Sequence, residues 1–332
     1  MKEVSSSTQR TLITGAAGQD GTILAAWLTR QGHDVVGLVK PGADSSRLSL
    51  YAPSVHVVEQ DLEDLHGIRS LVSELAPTMI YNFGGFTAPA ESWDRPEEVQ
   101  AINVEAVRAL LEAANGLDTK ARFFQASSSH VFEGTDRSPQ AETFQLSPSS
   151  PYAKSKADAL TLVRKFRDES GMFAVSGILY NHESPLRGSN FVTRKVSMAA
   201  ARIAAGKQDV LELGDLDVAR DWGWAPDYVR AMVVMMQAAE PSDYVLATGI
   251  SHRLSFFVEK AFAAAGIHDW RQHVRSAGSD RPVDTNKMVG DSRRAYLELG
   301  WRHTVDFDSI AAAMVAYDIA LLKNPDVLWD GF

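Results

Sequence analysis

The sequence predicts an α/β protein built on a doubly wound parallel sheet, and three observations carry that expectation. Short apolar runs alternate with helix-compatible stretches over residues 11–179. Strand–helix–strand repeats joined by short connections require parallel strands covered on both faces. The first run ends in a glycine turn, TLITGAAGQDG at 11–21, and apolar residues at helical spacing follow it. The chain of 332 residues is 45% hydrophobic and 23% charged, which is enough apolar material for a full-sized core.

Taken in order, Leu12 and Ile13 lead into Gly15, Gly18 and Gly21, with Gln19 and Asp20 inside the same turn. Glycine belongs where a side chain would block the backbone's approach to a phosphate. The helix that follows offers unpaired N–H groups and the positive end of its dipole to a diphosphate. This context marks a Rossmann-type dinucleotide cradle. Further strands are expected at 35–39, 55–58, 79–81, 123–126 and 173–179, with helices at 65–75, 97–114 and 151–169. Together they make residues 11–180 a cofactor-binding domain. The polar start, MKEVSSSTQR, reads as a disordered tail over residues 1–10. Beyond 180 the pattern loosens. Helices are expected at 190–205, 227–238, 254–265 and 307–322, and short strands at 209–213 and 244–247. Residues 181–332 are therefore read as a smaller α/β lobe, interleaved with the first domain and binding the substrate.

Bulk properties exclude several classes of function. A net charge of −9 argues against a nucleic-acid partner, which needs a basic footprint. The chain has no cysteine, so thiolate catalysis and cysteine metal sites are excluded; no metal site is expected, and a reducing cytoplasm fits. No apolar run is long enough to span a membrane.

Particular residues point to chemistry. Enzymes that take NAD place a carboxylate at the end of the second strand; here Lys40 stands there, with Arg47 beyond it. Cations suit a ribose 2′-phosphate, so NADP is favoured over NAD, with solvated surface charges as the alternative. Asp61 and Leu62, after the third strand, are placed to meet adenine unless Asp61 simply caps a turn. Tyr152 and Lys156 are four residues apart, on one face of a helix, and Ser128 closes the fifth strand. A free phenol near pKa ~10 is a poor base at neutral pH. An adjacent ammonium stabilises the phenolate, which can then take a proton from a sugar hydroxyl while hydride leaves the same carbon.

These residues resemble the extended short-chain dehydrogenase/reductase superfamily, and within it the GDP-mannose 4,6-dehydratases. The GQDG turn, the stretch GILYNHESPLRGSNFVTRKV at 177–196, Arg220-Asp221-Trp222-Gly223 before Asp227-Tyr228-Val229, and Asp291-Ser292 through Leu299-Gly300-Trp301 carry the likeness. It implies that His182 and Arg187 contact NADP, and that Lys156 contacts its nicotinamide ribose. It also implies that Asn181, Lys195 and Arg220 contact a GDP-sugar, and that the protein is a homodimer or homotetramer. Without the family block, His182 reads as a core histidine and Lys195 and Arg220 as a solvated helix face. The chain departs from the family pattern in three places. Ser128 replaces a threonine and keeps its hydroxyl. His130 replaces the glutamate that moves the C5 and C6 protons; an imidazole can do that work near neutral pH, or it can merely line the pocket. Thr87 stands where the family has a serine, between the apolar Phe86 and Pro89, and Pro41 removes one of two arginines. The expected activity is nucleotide-sugar 4,6-dehydration with NADP recycled by internal hydride transfer from C4 to C6. A C4 epimerase or 4-ketoreductase on the same scaffold is the alternative, since neither needs a C5 base.

Overall fold

The computed structural model describes residues 9–276 and 288–331. Strand β1 (Arg10–Thr14) leads through the glycine turn into helix α1 (Gln19–Arg30), then β2 (Asp34–Val39) and α2 (Ser46–Tyr51). β3 (His56–Glu59), α3 (Leu65–Leu75) and β4 (Met79–Asn82) follow. The next helical stretch comprises α4 (Pro96–Gln100), a π turn at Ala101–Glu105 and α5 (Ala106–Asn115). β5 (Arg122–Ala126), α6 (Pro151–Ser170) and β6 (Ala174–Leu179) complete the regular alternation. Arg10 already belongs to β1: its guanidinium donates to Asp34 at 2.7 Å and to the Leu75 carbonyl at 3.1 Å. Arg10 is therefore not part of the tail expected over residues 1–10, and residues 1–8 lie outside the described residues.

The chain forms two compact units. One reaches to Val131 and adds Leu146–Ile178 and Met232–Tyr244; the other takes Phe132–Gln145, Leu179–Ala231 and the chain from Val245 onward. In the first, strands run in the order β3-β2-β1-β4-β5-β6, and every neighbouring pair is parallel. The order reverses between β1 and β4, and sheets of this kind bind ligands beyond the strand ends at such a switch. Thr11, Leu12, Ile13 and Thr14 are all inaccessible, because β1 is flanked on both edges. Its apolar core gathers Leu12, Val36, Ile80, Val107, Leu110 and Phe123, each contributing about 1.5–3 kcal/mol when fully buried. The helix expected unbroken over 97–114 is interrupted by the π turn, which brings the Asn103 side chain against another segment. α6 is capped by Ser150, whose hydroxyl accepts from Ala153 N, and it stops at Gly171 at φ +64°.

The second unit contains β7 (Asn181–Glu183), α7 (Val192–Ala204), β8 (Leu211–Leu213), β9 (Ala219–Trp224) and α8 (Ala225–Gln237), whose C-terminal half belongs to the first unit. β10 (Tyr244–Leu246) starts in the first unit and ends in the second. β11 (Ser251–Arg253), α9 (Leu254–Ala264), β12 (Val274–Ser276), α10 (Arg293–Leu299) and α11 (Phe307–Lys323) follow. A three-stranded sheet runs β11-β9-β7 and a pair joins β12 to β8. Val196, Trp222, Phe257, Phe262, Phe307 and Met314 share the core. β9 lacks an apolar run because it begins with Ala219-Arg220-Asp221. Asp221 is satisfied within the fold: its carboxylate accepts from Thr248 N, Thr248 Oγ1, Gly249 N and Gly290 N. Burial nonetheless raises its pKa.

Candidate active site

The glycine turn is built as its sequence requires. Gly15 has φ +64°, and a Cβ there would meet Gly84 N at 2.8 Å and the Phe83 carbonyl carbon at 2.9 Å. Gly21 faces the Gly15 oxygen, 2.5 Å from where its own Cβ would stand. Gly18 N donates to Gly15 O at 2.9 Å and serves as the N-cap of α1, with no side chain capping the first turn. A helix N-terminus entered through glycine in this way suits an anionic group. Gln19 donates to the Asp20 carboxylate at 3.1 Å.

Arg47, on α2, reaches this turn and donates to Ala17 O at 2.6 Å. Lys40, at the end of β2, is exposed. Asp61 caps its own turn, accepting from Glu63 N at 3.0 Å. Leu62 lies against Gly84, with its Cδ1 2.8 Å from that glycine's virtual Cβ. Gly84 thus touches both the glycine turn and Leu62. Thr87, three residues on, is exposed.

Ser128, Tyr152 and Lys156 are all buried, at 8%, 8% and 6% exposure. Ser128 Oγ accepts from His130 N at 3.3 Å. The His130 ring meets Tyr152 edge-on at 5.5 Å between centroids. Lys156 Nζ lies 5.9 Å from the Tyr152 ring centroid and donates to Ala126 O at 3.1 Å. Burial pulls the Lys156 pKa down to about 8, because an ammonium loses hydration with no carboxylate to replace it. A Cβ on Gly85 would come 3.6 Å from Lys156 Nζ. The glycine turn thus lies against Gly84 at the switch point, and the next residue, Gly85, is one whose side chain would face Lys156.

Three residues that position this site carry no motif of their own. Asn103 accepts from Phe86 N at 2.8 Å and donates to Phe86 O at 3.2 Å and Ser155 Oγ at 3.0 Å. Ser155 in turn donates to Tyr152 O at 2.8 Å. Ser92 accepts from Tyr152 N at 3.2 Å. The one legible signal is an asparagine on the apolar side of an amphipathic helix, where a polar group is kept only if it is bonded.

In the second unit, Asn181 pairs with Trp222 in the β7–β9 ladder. His182 stacks on Tyr228 at 4.6 Å, and its Nδ1 lies 2.7 Å from Tyr180 O. Arg187 pairs with Glu183 at 3.3 Å and covers the Phe191 ring. Lys195 donates to Glu212 O at 3.1 Å and lines a cavity of about 560 Å³ with Ser189, Met198, Arg202, Gln208 and Glu212. Arg220 does not line that cavity; it lies in β9, opposite His252, and donates to Ala219 O at 2.8 Å.

A family model described as GDP-mannose 4,6 dehydratase matches residues 12–314. GDP-mannose 4,6 dehydratase 1 of Arabidopsis thaliana is 36% identical over 96% of this chain and 92% of its own length. The Homo sapiens GDP-mannose 4,6 dehydratase is 37% identical over 95% and 93%. Two solved structures share the fold. RMD from Pseudomonas aeruginosa, complexed with NADPH, superposes with a TM-score of 0.79 at 23% identity, over 94% of this chain and 100% of that one. The Thermotoga maritima UDP-glucose 4-epimerase with UDP-glucose gives 0.82 at 21%, over 95% and 100%. No helix among the described residues is long and apolar enough to cross a membrane. On the family match over most of its length and the identity to these relatives, the chain belongs to the GDP-mannose 4,6-dehydratase family.

Proposed function

We propose that this chain is a nucleotide-sugar 4,6-dehydratase that converts a GDP-mannose-like substrate to its 4-keto-6-deoxy product, with a tightly bound NADP recycled in each turnover. The observation that carries the reading is the buried Tyr152–Lys156 pair with His130 against the Tyr152 ring, in the same unit as a glycine turn packed on Gly84.

The residues present suit a dinucleotide. A Cβ at Gly15 would meet the Phe83–Gly84 backbone and one at Gly21 the turn's own backbone, and the N-cap Gly18 brings no side chain to the start of α1. Arg47 at the turn supports a 2′-phosphate and hence NADP over NAD, with Lys40 close by in sequence. Asp61 and Leu62 are assigned to the adenosine end, and His182 and Arg187 to the cofactor. When bound, the nicotinamide ring supplies a hydride acceptor and later the donor.

The chain's own groups do the rest. Tyr152, as phenolate, takes the C4 hydroxyl proton, and the Lys156 ammonium stabilises that phenolate. Ser128 orients the hydroxyl. Oxidation at C4 acidifies the C5 proton. His130 takes it and protonates the departing C6 hydroxyl, which leaves as water; with the hydride delivered to C6, the solvent-exchangeable proton held by Tyr152 goes to C5 and completes the product, leaving the phenolate restored. Asn181, Lys195 and Arg220 are assigned to the GDP-sugar, with Arg220 at its diphosphate, and Thr87 is likewise assigned to the substrate.

Incubation with GDP-mannose in deuterated water tests this. The expected product is a 4-keto-6-deoxy sugar carrying deuterium at C5. A product that keeps its C6 oxygen and has no label at C5 would identify an epimerase instead, and stoichiometric consumption of added NADPH a reductase.

A further inference from the structure

We propose that Gln125 is a positioning residue for Lys156: its side-chain amide shares the Ala126 carbonyl with the ammonium, and so keeps the lysine on a weak tether. The inference deepens the dehydratase reading and rests on it for what Lys156 does.

A chain of buried polar groups runs across the strand ends from the glycine turn to Lys156. Gly84 N donates to Thr14 Oγ1 at 2.9 Å, and Thr14 donates to Asn82 Oδ1. Asn82 Nδ2 donates to Gln125 Oε1 at 2.8 Å, and Gln125 Nε2 to Ala126 O at 3.0 Å. Lys156 Nζ donates to the same oxygen at 3.1 Å.

The direction of every bond is set by the first. Thr14 has already accepted from Gly84, so its only proton goes to an Asn82 oxygen. That turns the Asn82 NH2 toward Gln125, and the Gln125 NH2 toward Ala126. Three uncharged side chains, at 0%, 1% and 1% exposure, thus deliver one polarised donor to one carbonyl. A carbonyl oxygen has two lone pairs, and here both have a donor. An oxygen already engaged by a polarised amide is a poorer acceptor for the ammonium, so the charged lysine is held less firmly than an unshared carbonyl would hold it. Tyr152 and His130 are the titratable groups on this side. Burial lowers the Lys156 pKa, and no charged group adds to or opposes that shift.

The test is an NMR titration of the Lys156 side chain in full-length protein labelled with 13C at lysine Cε, the resonance being assigned by its loss in Lys156→Met. In Gln125→Met the amide donor is gone and Ala126 O serves Lys156 alone. The pKa is expected to rise by about 0.5–1 unit, a three- to tenfold tighter hold on the proton. An unchanged or lower value in the folded variant overturns the proposal. Should Gln125→Met fail to fold by circular dichroism, Thr14→Val carries the test. It removes the far end of the chain and is expected to give a smaller rise in the same direction, while Thr14→Ser keeps the hydroxyl and the wild-type value. No difference between those two overturns the proposal. The titration reads a protonation, not turnover, so a Tyr152→Phe variant that kept dehydratase activity would sink the functional reading without touching this result.

Discussion

Lys156 shows what the site costs the fold. It is 6% exposed, bonded to one carbonyl, and its pKa is lowered to about 8 by burial alone. The unfolded chain holds that proton up to about pH 10.4. Between the two values the unfolded state binds more protons, so this residue makes the native state more stable as pH rises from 8 to 10.4 and penalises it fully below 8. Lys156→Met should therefore abolish turnover yet stabilise the protein at pH 7, by up to about 3 kcal/mol. Urea unfolding at pH 7 and pH 10 checks this: the gain should shrink toward zero at the higher pH. A variant that is less stable at pH 7 would show that the lysine is held by more than its carbonyl.

At the scale of elements, backbone turns place the chemistry. The turn between β1 and α1 touches the segment after β4, and glycine is needed on both sides of that contact. Gly15→Ala has to accept φ +64° and push against Gly84 N at 2.8 Å, so it should cost about 1–3 kcal/mol. It should also weaken NADPH binding at least tenfold, as read by fluorescence titration. Gly32→Ala is the control: Gly32 has φ +83° but open space around it, so it should lose some stability and keep binding. The π turn at Ala101–Glu105 does related work, since π turns concentrate at functional positions. It turns Asn103 to hold both backbone groups of Phe86 and, through Ser155, the carbonyl of Tyr152.

Over the whole molecule, the two units exchange segments of chain, and buried charge ties down the piece that returns. Met232–Tyr244 rejoins the first unit. Within it Asp243, 4% exposed, accepts from Arg164 at 2.7 Å, Arg167 at 2.9 Å and Ser176 N at 3.1 Å. Arg122 also donates to Met236 O and Ala238 O, closing the end of α8. Asp243→Leu leaves two guanidinium groups and a strand N–H without their acceptor. It should destabilise the protein by about 3–5 kcal/mol, the usual range for a broken buried pair. Thermal unfolding checks this, and a melting temperature within a degree of wild type would count against it.

By itself the amino-acid order determined the alternating first unit, the glycine turn and the Tyr152–Lys156 face of α6, because each rests on local periodicity or on spacing within one helix. It also carried the family likeness. Tertiary structure alone decided the rest. Arg47 reaches Ala17 from thirty residues away, and Asn103 meets Phe86 only because a π turn swings it there. Asn82, Gln125 and Thr14 come from three strands adjacent in space and far apart in the chain. The short strands β7, β9 and β11 have no apolar run, and the buried Asp221 of β9 is satisfied by Thr248, Gly249 and Gly290, brought in from elsewhere in the chain. A hydrogen bond between distant segments leaves no period in the sequence; only the folded chain brings its two ends within reach.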